Sequence, residues 1–77
     1  MSINILLFGQ LTDITGTDRL VVSDITDTDS LVTKLQHQFP ALSKSKYLIA
    51  VDKKVIADNT SLNDQSTVAL LPPFSGG

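Results

Sequence analysis

The sequence predicts an α+β fold, a mixed sheet packed on one main helix. Three observations carry that reading. Short runs with a two-residue apolar alternation lie at both ends of the chain. Between them, residues 28–39 place Leu31, Val32, Leu35 and Phe39 at near-helical spacing. Glycines, prolines and polar pairs separate the runs, so that the order reads ββ, helix, then three more strands.

Residues 3–8 form the first strand. Ile3, Ile5 and Leu7 point to one face, and Asn4, Leu6 and Phe8 to the other. Gly9 breaks the run, residues 10–14 form a short helical turn, and Gly16 with Asp18 marks a loop. Residues 20–22 are a second strand, paired with the first as a hairpin with a wide loop. Asp27 then caps the helix, where its carboxylate accepts otherwise unpaired N–H groups and meets the positive end of the helix dipole. Pro40 stops that helix, with Leu42 tucked under its end. Lys34, Gln36, His37 and Gln38 fall on its wet side. Residues 47–51 are a third strand, and Asp52-Lys53 is a tight turn into a short strand at 54–56. Residues 58–66 are polar loop around one buried candidate, Leu62. Residues 67–71 are the last strand, ended by Pro72-Pro73, which cannot continue a paired ladder. The first and last strands carry nearly continuous apolar runs and are expected side by side in the middle of the sheet. A hairpin, a helix laid across it and further strands make the β-grasp, or ubiquitin-like, arrangement. Residues 1–72 are the expected domain and residues 73–77 a flexible tail.

Composition narrows the function. The chain has 77 residues, no cysteine, no glutamate and one histidine. Thiolate metal sites, disulfides and a cysteine nucleophile are excluded, and His37 alone cannot build a multi-histidine metal site. A net charge of −2 argues against a phosphate-tracking nucleic-acid binder. The longest apolar runs, residues 5–8 and 47–51, are too short to span a bilayer. With no readable secretory signal, a cytoplasmic location is expected. Charge is uneven: residues 1–30 hold five Asp against Arg19, and residues 31–77 hold five Lys against three Asp. This asymmetry serves solubility, or else Lys44, Lys46, Lys53 and Lys54 face an acidic partner.

Strand parity locates a candidate surface. Leu6 and Phe8 face away from Ile5 and Leu7, as Ala69 and Leu71 face away from Val68 and Leu70. If the two strands are neighbours, Phe8 and Leu71 form an apolar patch on the wet side of the sheet, with Val55 joining from its short strand. A contiguous patch of that kind marks an interface unless a loop covers it.

No triad, carboxylate dyad or phosphate loop appears, and Asp27 and Asp29 read as helix-start residues. The informative feature is the ending Pro72-Pro73-Phe74-Ser75-Gly76-Gly77. A terminal carboxylate becomes reactive once ATP converts it to an acyl-adenylate, which a sulfur or amine donor then attacks. Fully extended, residues 72–77 reach about 20 Å. Gly76 and Gly77 have no side chain to block a narrow channel in a partner's active site.

These features resemble the small, sulfur-carrier subunits of molybdopterin synthases over nearly the whole chain. The resemblance rests on residues 5–11, Gly16-Thr17, Ala50-Val51-Asp52, Val55-Ile56, Leu62-Asn63-Asp64 and above all residues 68–77. It implies that Gly77 is adenylated by an enzyme of the ubiquitin-activating type that consumes ATP, and becomes a thiocarboxylate. The tail Phe74, Ser75, Gly76 threads into the large synthase subunit, where sulfur passes to cyclic pyranopterin monophosphate. Two carriers serve each substrate in an assembly of two small and two large subunits. Positions matching Phe8, Val55 and Leu71 lie in the subunit interface. The carrier itself binds no cofactor or metal, and acid–base groups belong to the partner. Two positions depart from the family's pattern. Thr12-Asp13 replaces a frequent Arg-Glu pair, and Gln65 replaces a glycine, where a positive φ would cost about 1 kcal/mol. Delivery to thiamine or to tRNA thiolation, a ubiquitin-like protein tag, and a non-covalent adaptor are the alternatives. The paired prolines favour the molybdopterin carriers over the thiamine ones.

Overall fold

The computed structural model describes residues 2–73. The expected tail residues Phe74, Ser75, Gly76 and Gly77 lie outside the described residues. Five strands form one mixed sheet: β1 (Ser2–Leu7), β2 (Arg19–Ser23), β3 (Leu48–Val51), β4 (Lys54–Ile56) and β5 (Thr67–Leu71). Their spatial order is β2-β1-β5-β3-β4, with β1 and β5 parallel and the other neighbours antiparallel. The first and last strands are therefore central, as their two-sided apolar sequence requires. A short helix, α1 (Leu11–Thr15), follows β1, and the main helix, α2 (Thr28–Gln38), follows β2. The architecture is the β-grasp.

Alternation in β1 and β5 separates two faces. Ile3, Ile5, Leu7, Val68 and Leu70 are all buried, and Leu31 and Leu35 of α2 close over them in the same core. Leu11, Val22, Ile25, Leu42, Val51 and Leu62 complete it. Leu42, expected under the helix end, reaches full burial because residues beyond Pro40 continue as a 3₁₀ turn, Pro40–Lys44. Gln36, expected in solvent, is half-buried and donates a hydrogen bond to the Tyr47 hydroxyl (3.1 Å).

Left-handed backbone marks the tight turns. Asp52 and Lys53 have φ of 47° and 75°, the paired positive values of a type I′ hairpin. The Asp52 carboxylate then accepts from the Thr67 N–H (3.0 Å), pinning the hairpin to β5. Gln65 does adopt a positive φ, 66°, as its alignment with a glycine position implied. The strain is held in place because the Gln65 N–H donates to the Ser2 carbonyl (2.7 Å) and the Ser2 N–H to the Asp64 carboxylate (2.8 Å).

The start of α2 is fixed by a polar clasp to the 58–62 loop. The Asp27 carboxylate accepts from the Ser30 N–H (3.0 Å) and from the Asn59 amide (3.1 Å). Buried Thr28 donates to Asn59 Oδ1 (3.3 Å) and accepts from the Thr60 N–H (2.9 Å). Replacing Thr28 with valine keeps the volume and strands the Thr60 N–H. The expected cost is about 1–3 kcal/mol. Tm, read by circular dichroism, should drop by roughly 4–8 °C per kcal/mol in a domain of this size; an unchanged Tm would show the clasp to be dispensable. The Ser30 side-chain bond first, then the Asn59 bond and the Ser30 backbone bond, hold the Asp27 carboxyl below its ordinary 3.8. A depressed folded-state pKa adds stability above the unfolded value and loses it as pH falls through the folded one. The Tm gap between wild type and Asp27→Ala is thus expected to be constant near neutrality and to narrow below pH 3.8.

Candidate functional site

The outer face of the sheet, opposite α2, carries the candidate site. Strand register builds it in rows. Leu6 lies beside Ala69, Ala69 beside Ala50, and Ala50 beside Val55. The next row sets Leu71 beside Leu48, with Phe8 following on just past the end of β1. The preceding row sets Val21, Asn4 and Thr67 side by side. Two alanines in the middle of larger neighbours leave a hollow. The resulting groove, about 460 Å³, is lined by Leu6, Phe8, Ala50, Val55, Ala69 and Leu71, with Asp52, Lys53 and Thr67 at a polar end.

The three residues singled out from sequence thus line one groove. Phe8 is 44% exposed and Val55 61%, so no described loop covers them, while Leu71 is half-buried. Exposing a phenylalanine and a valine on one concave surface is the pattern of an interface rather than of scattered surface apolar residues. Sequence reasoning missed Val21, which is 61% exposed on the same face at the edge strand. It also missed Ala50, whose small side chain gives no signal until the β3–β5 register places it against Ala69. Of the four lysines set aside as a possible basic side, only Lys53 lines the groove.

The base of the tail is built into the same region. β5 brings the chain past Leu71 to Pro72, and the Phe8 N–H donates to the Leu70 carbonyl (3.2 Å), extending the parallel pairing by one residue. The chain therefore leaves β5 at Leu71, itself part of the groove lining. Thr12, at one of the two departures from the family's pattern, uses its hydroxyl to donate to the Gly9 carbonyl (2.9 Å) and so serves α1. Asp13 is exposed.

Among the described residues, Asp52 and Lys53 are the ionisable groups of the groove lining, and the Asp52 carboxylate is engaged by the Thr67 N–H. His37 sits exposed on α2, in a larger recess of about 640 Å³ lined by Asp29, Ser30, Thr33, Lys34, His37 and Gln38. Those residues come from one helix alone, so the recess is a strip of helix surface that no second element encloses. Among the described residues, no cluster of His, Asp and Glu could hold a metal ion. No described helix is long and apolar enough to cross a membrane.

Comparison with known proteins agrees with this geometry. The chain is 30% identical to the molybdopterin synthase sulfur carrier subunit of Dictyostelium discoideum, covering 95% of this chain and 93% of that protein. It is also 30% identical to the subunit of the same name from Mycobacterium tuberculosis, covering 100% and 99%. Among solved structures, small archaeal modifier protein 1 from Methanosarcina acetivorans superposes with a TM-score of 0.83 at 25% identity, covering 99% of this chain and 96% of that one. A putative molybdopterin converting factor subunit 1 from Pyrococcus furiosus gives 0.89 at 14% identity, covering 96% and 99%. Subunit 1 or 2 in a complex of the two molybdopterin-converting factor subunits from Helicobacter pylori gives 0.66 at 23%, covering all of both chains. The family model described as the ThiS family matches residues 5–77. The chain therefore belongs to the ThiS family of β-grasp sulfur carriers.

Proposed function

We propose that this chain is the sulfur carrier of a molybdopterin synthase. The observation that carries the reading is near-complete, two-way coverage by curated carriers of that name at 30% identity. The apolar groove at the root of a Pro-Pro-Phe-Ser-Gly-Gly ending supports it. In this reading the Gly77 carboxylate attacks the α-phosphorus of ATP on an adenylating enzyme, releasing pyrophosphate. A sulfide-level donor then adds to the acyl carbon and AMP leaves, giving the thiocarboxylate. The loaded tail enters the large synthase subunit, where its sulfur displaces an oxygen substituent of the pterin precursor. Water then cleaves the resulting thioester to leave sulfur on the pterin and regenerate the Gly77 carboxylate. Phe74, Ser75 and Gly76 thread the channel. Phe8, Val55 and Leu71 dock on the large subunit, two carriers per assembly. The partner supplies the groups that hold the pterin phosphate and move protons.

A second reading, a ubiquitin-like protein modifier, draws on the 25% identity to small archaeal modifier protein 1. The two diverge after adenylation: sulfur attack yields a thiocarboxylate, lysine attack an isopeptide. Incubated with activating enzyme, ATP and a sulfur donor, the intact protein is expected to gain the mass difference between sulfur and oxygen, localised to the C-terminal peptide. Supplying the loaded protein to the large subunit with the pterin precursor should return the original mass. An isopeptide adduct with no thiocarboxylate would favour the modifier. Removing Gly76 and Gly77 should abolish loading and leave Tm unchanged, whereas His37→Ala should load and transfer at the wild-type rate.

The docking surface has its own test. Phe8→Asp places a charge on a side chain already exposed in the free protein, so Tm should change little. In a closed interface that carboxylate loses its water, a cost of several kcal/mol without a partner. Calorimetric titration of the large subunit should therefore show affinity lowered at least a hundredfold. Wild-type affinity would move the interface elsewhere.

A further inference from the structure

Gly9 stands out as a residue that the proposed chemistry does not use and the backbone does not fully explain. Two described glycines have left-handed φ, Gly9 at 59° and Gly16 at 76°. Their surroundings differ. A Cβ on Gly16 would meet nothing within 4 Å, so conformation alone accounts for it. A Cβ on Gly9 would lie 2.9 Å from Cγ of Pro72, with two more atoms of that ring at 3.6 and 3.7 Å. The Pro72 ring thus rests directly on the bare backbone of Gly9.

That seat is stiff on both sides. The Gly9 carbonyl is held by the Thr12 N–H (3.2 Å) and the Thr12 hydroxyl (2.9 Å), which lock the β1–α1 turn. Pro72 follows the last residue of β5 and precedes a second proline, so its own φ is fixed and its neighbour is confined to extended backbone. A short ring between two fixed segments cannot yield by rotating away, as a long side chain could. A Cβ at position 9 therefore forces a shift at this contact, and what the pucker of the ring does not absorb falls on the chain where it leaves the sheet. Fully extended, residues 72–77 reach about 20 Å. A tilt of about 10° at the root of a segment that long would move the far end by about 3.5 Å, and misplacement by even 1 Å can cost a hundredfold in rate.

We propose that Gly9 is a positioning residue. It acts through Pro72 to aim the C-terminal segment relative to the apolar docking groove. The consequence for catalysis rests on the sulfur-carrier reading above; the aiming itself does not. Gly9→Asn is the informative change, because asparagine visits left-handed φ routinely and so adds the Cβ with little backbone cost. Gly16→Asn is its control, with the same substitution and the same class of φ in open space.

The first measurement is the set of amide residual dipolar couplings of residues 74–77, read against the couplings of the folded domain. In wild type they should be non-zero. Gly9→Asn should change them while the domain couplings stay constant, and Gly16→Asn should not. Near-zero couplings in wild type, or values unaltered by Gly9→Asn, overturn the proposal. The second is steady-state thiocarboxylation by the activating enzyme. Gly9→Asn should lower kcat tenfold or more with KM within twofold, since misplacement penalises the reacting end and spares the docking face. In a Pro72→Ala background, which removes the ring, the same change should cost less than twofold, a coupling that a merely destabilising substitution lacks. Equal losses in both backgrounds overturn the proposal. If wild type takes up no sulfur, the carrier reading fails and the couplings alone decide the role of Gly9.

Discussion

Parallel pairing of β1 with β5 sets both faces of the sheet and the point where the chain leaves it. It joins the two ends of the sequence at the centre of the sheet, Asn4 against Thr67 through Leu7 against Leu70. Because side chains alternate, that single register decides two surfaces together. Ile3, Ile5, Leu7, Val68 and Leu70 go inward to meet α2, and Leu6, Phe8, Ala69 and Leu71 go outward. A slip of one residue would exchange the two sets. The same pairing delivers Pro72 beside the β1–α1 turn, so the exit of the tail is a consequence of the core register.

The outer face is shaped as much by what is small as by what is large. Ala50 opposite Ala69 lowers the middle of the sheet, and Leu6, Phe8, Val55 and Leu71 stand around it. Burying such a rim against a partner would recover the free energy that exposing it costs, at about 25 cal/mol per Å² of apolar surface. A domain this small cannot enlarge its own core to cover that face, since chains of this length bury only about 60% of their unfolded surface. Exposure of the groove and the size of the domain are two aspects of one limitation.

Much of this was legible in the sequence, and the reasons are specific. Period-two alternation in residues 3–8 and 67–71 gave both central strands and named Phe8 and Leu71 as outward-facing. Asp27 gave the start of α2, Asp52-Lys53 the hairpin, and Leu62 a buried point in a polar loop. Features that depend on pairing at a distance left no local signal. The Thr28–Asn59–Thr60 clasp joins residues about thirty positions apart through side-chain polar groups, which have no period. The 3₁₀ turn after Pro40 is too short to show one. Ala50 acquires meaning only from its register with Ala69, and the local signal of Gly9 is that of a strand breaker, since its contact with Pro72 joins opposite ends of the chain.

In the proposed complex the outer sheet face docks on the large molybdopterin synthase subunit and the outer side of α2 stays in solvent. Methyl-resolved NMR during titration of that subunit separates the two surfaces. The methyls of Leu6, Ala50, Val55, Ala69 and Leu71 should shift or broaden together, while the exposed Thr33 methyl on α2 stays put. Perturbation centred on α2, with the groove methyls unmoved, would place the docking surface on the helix instead.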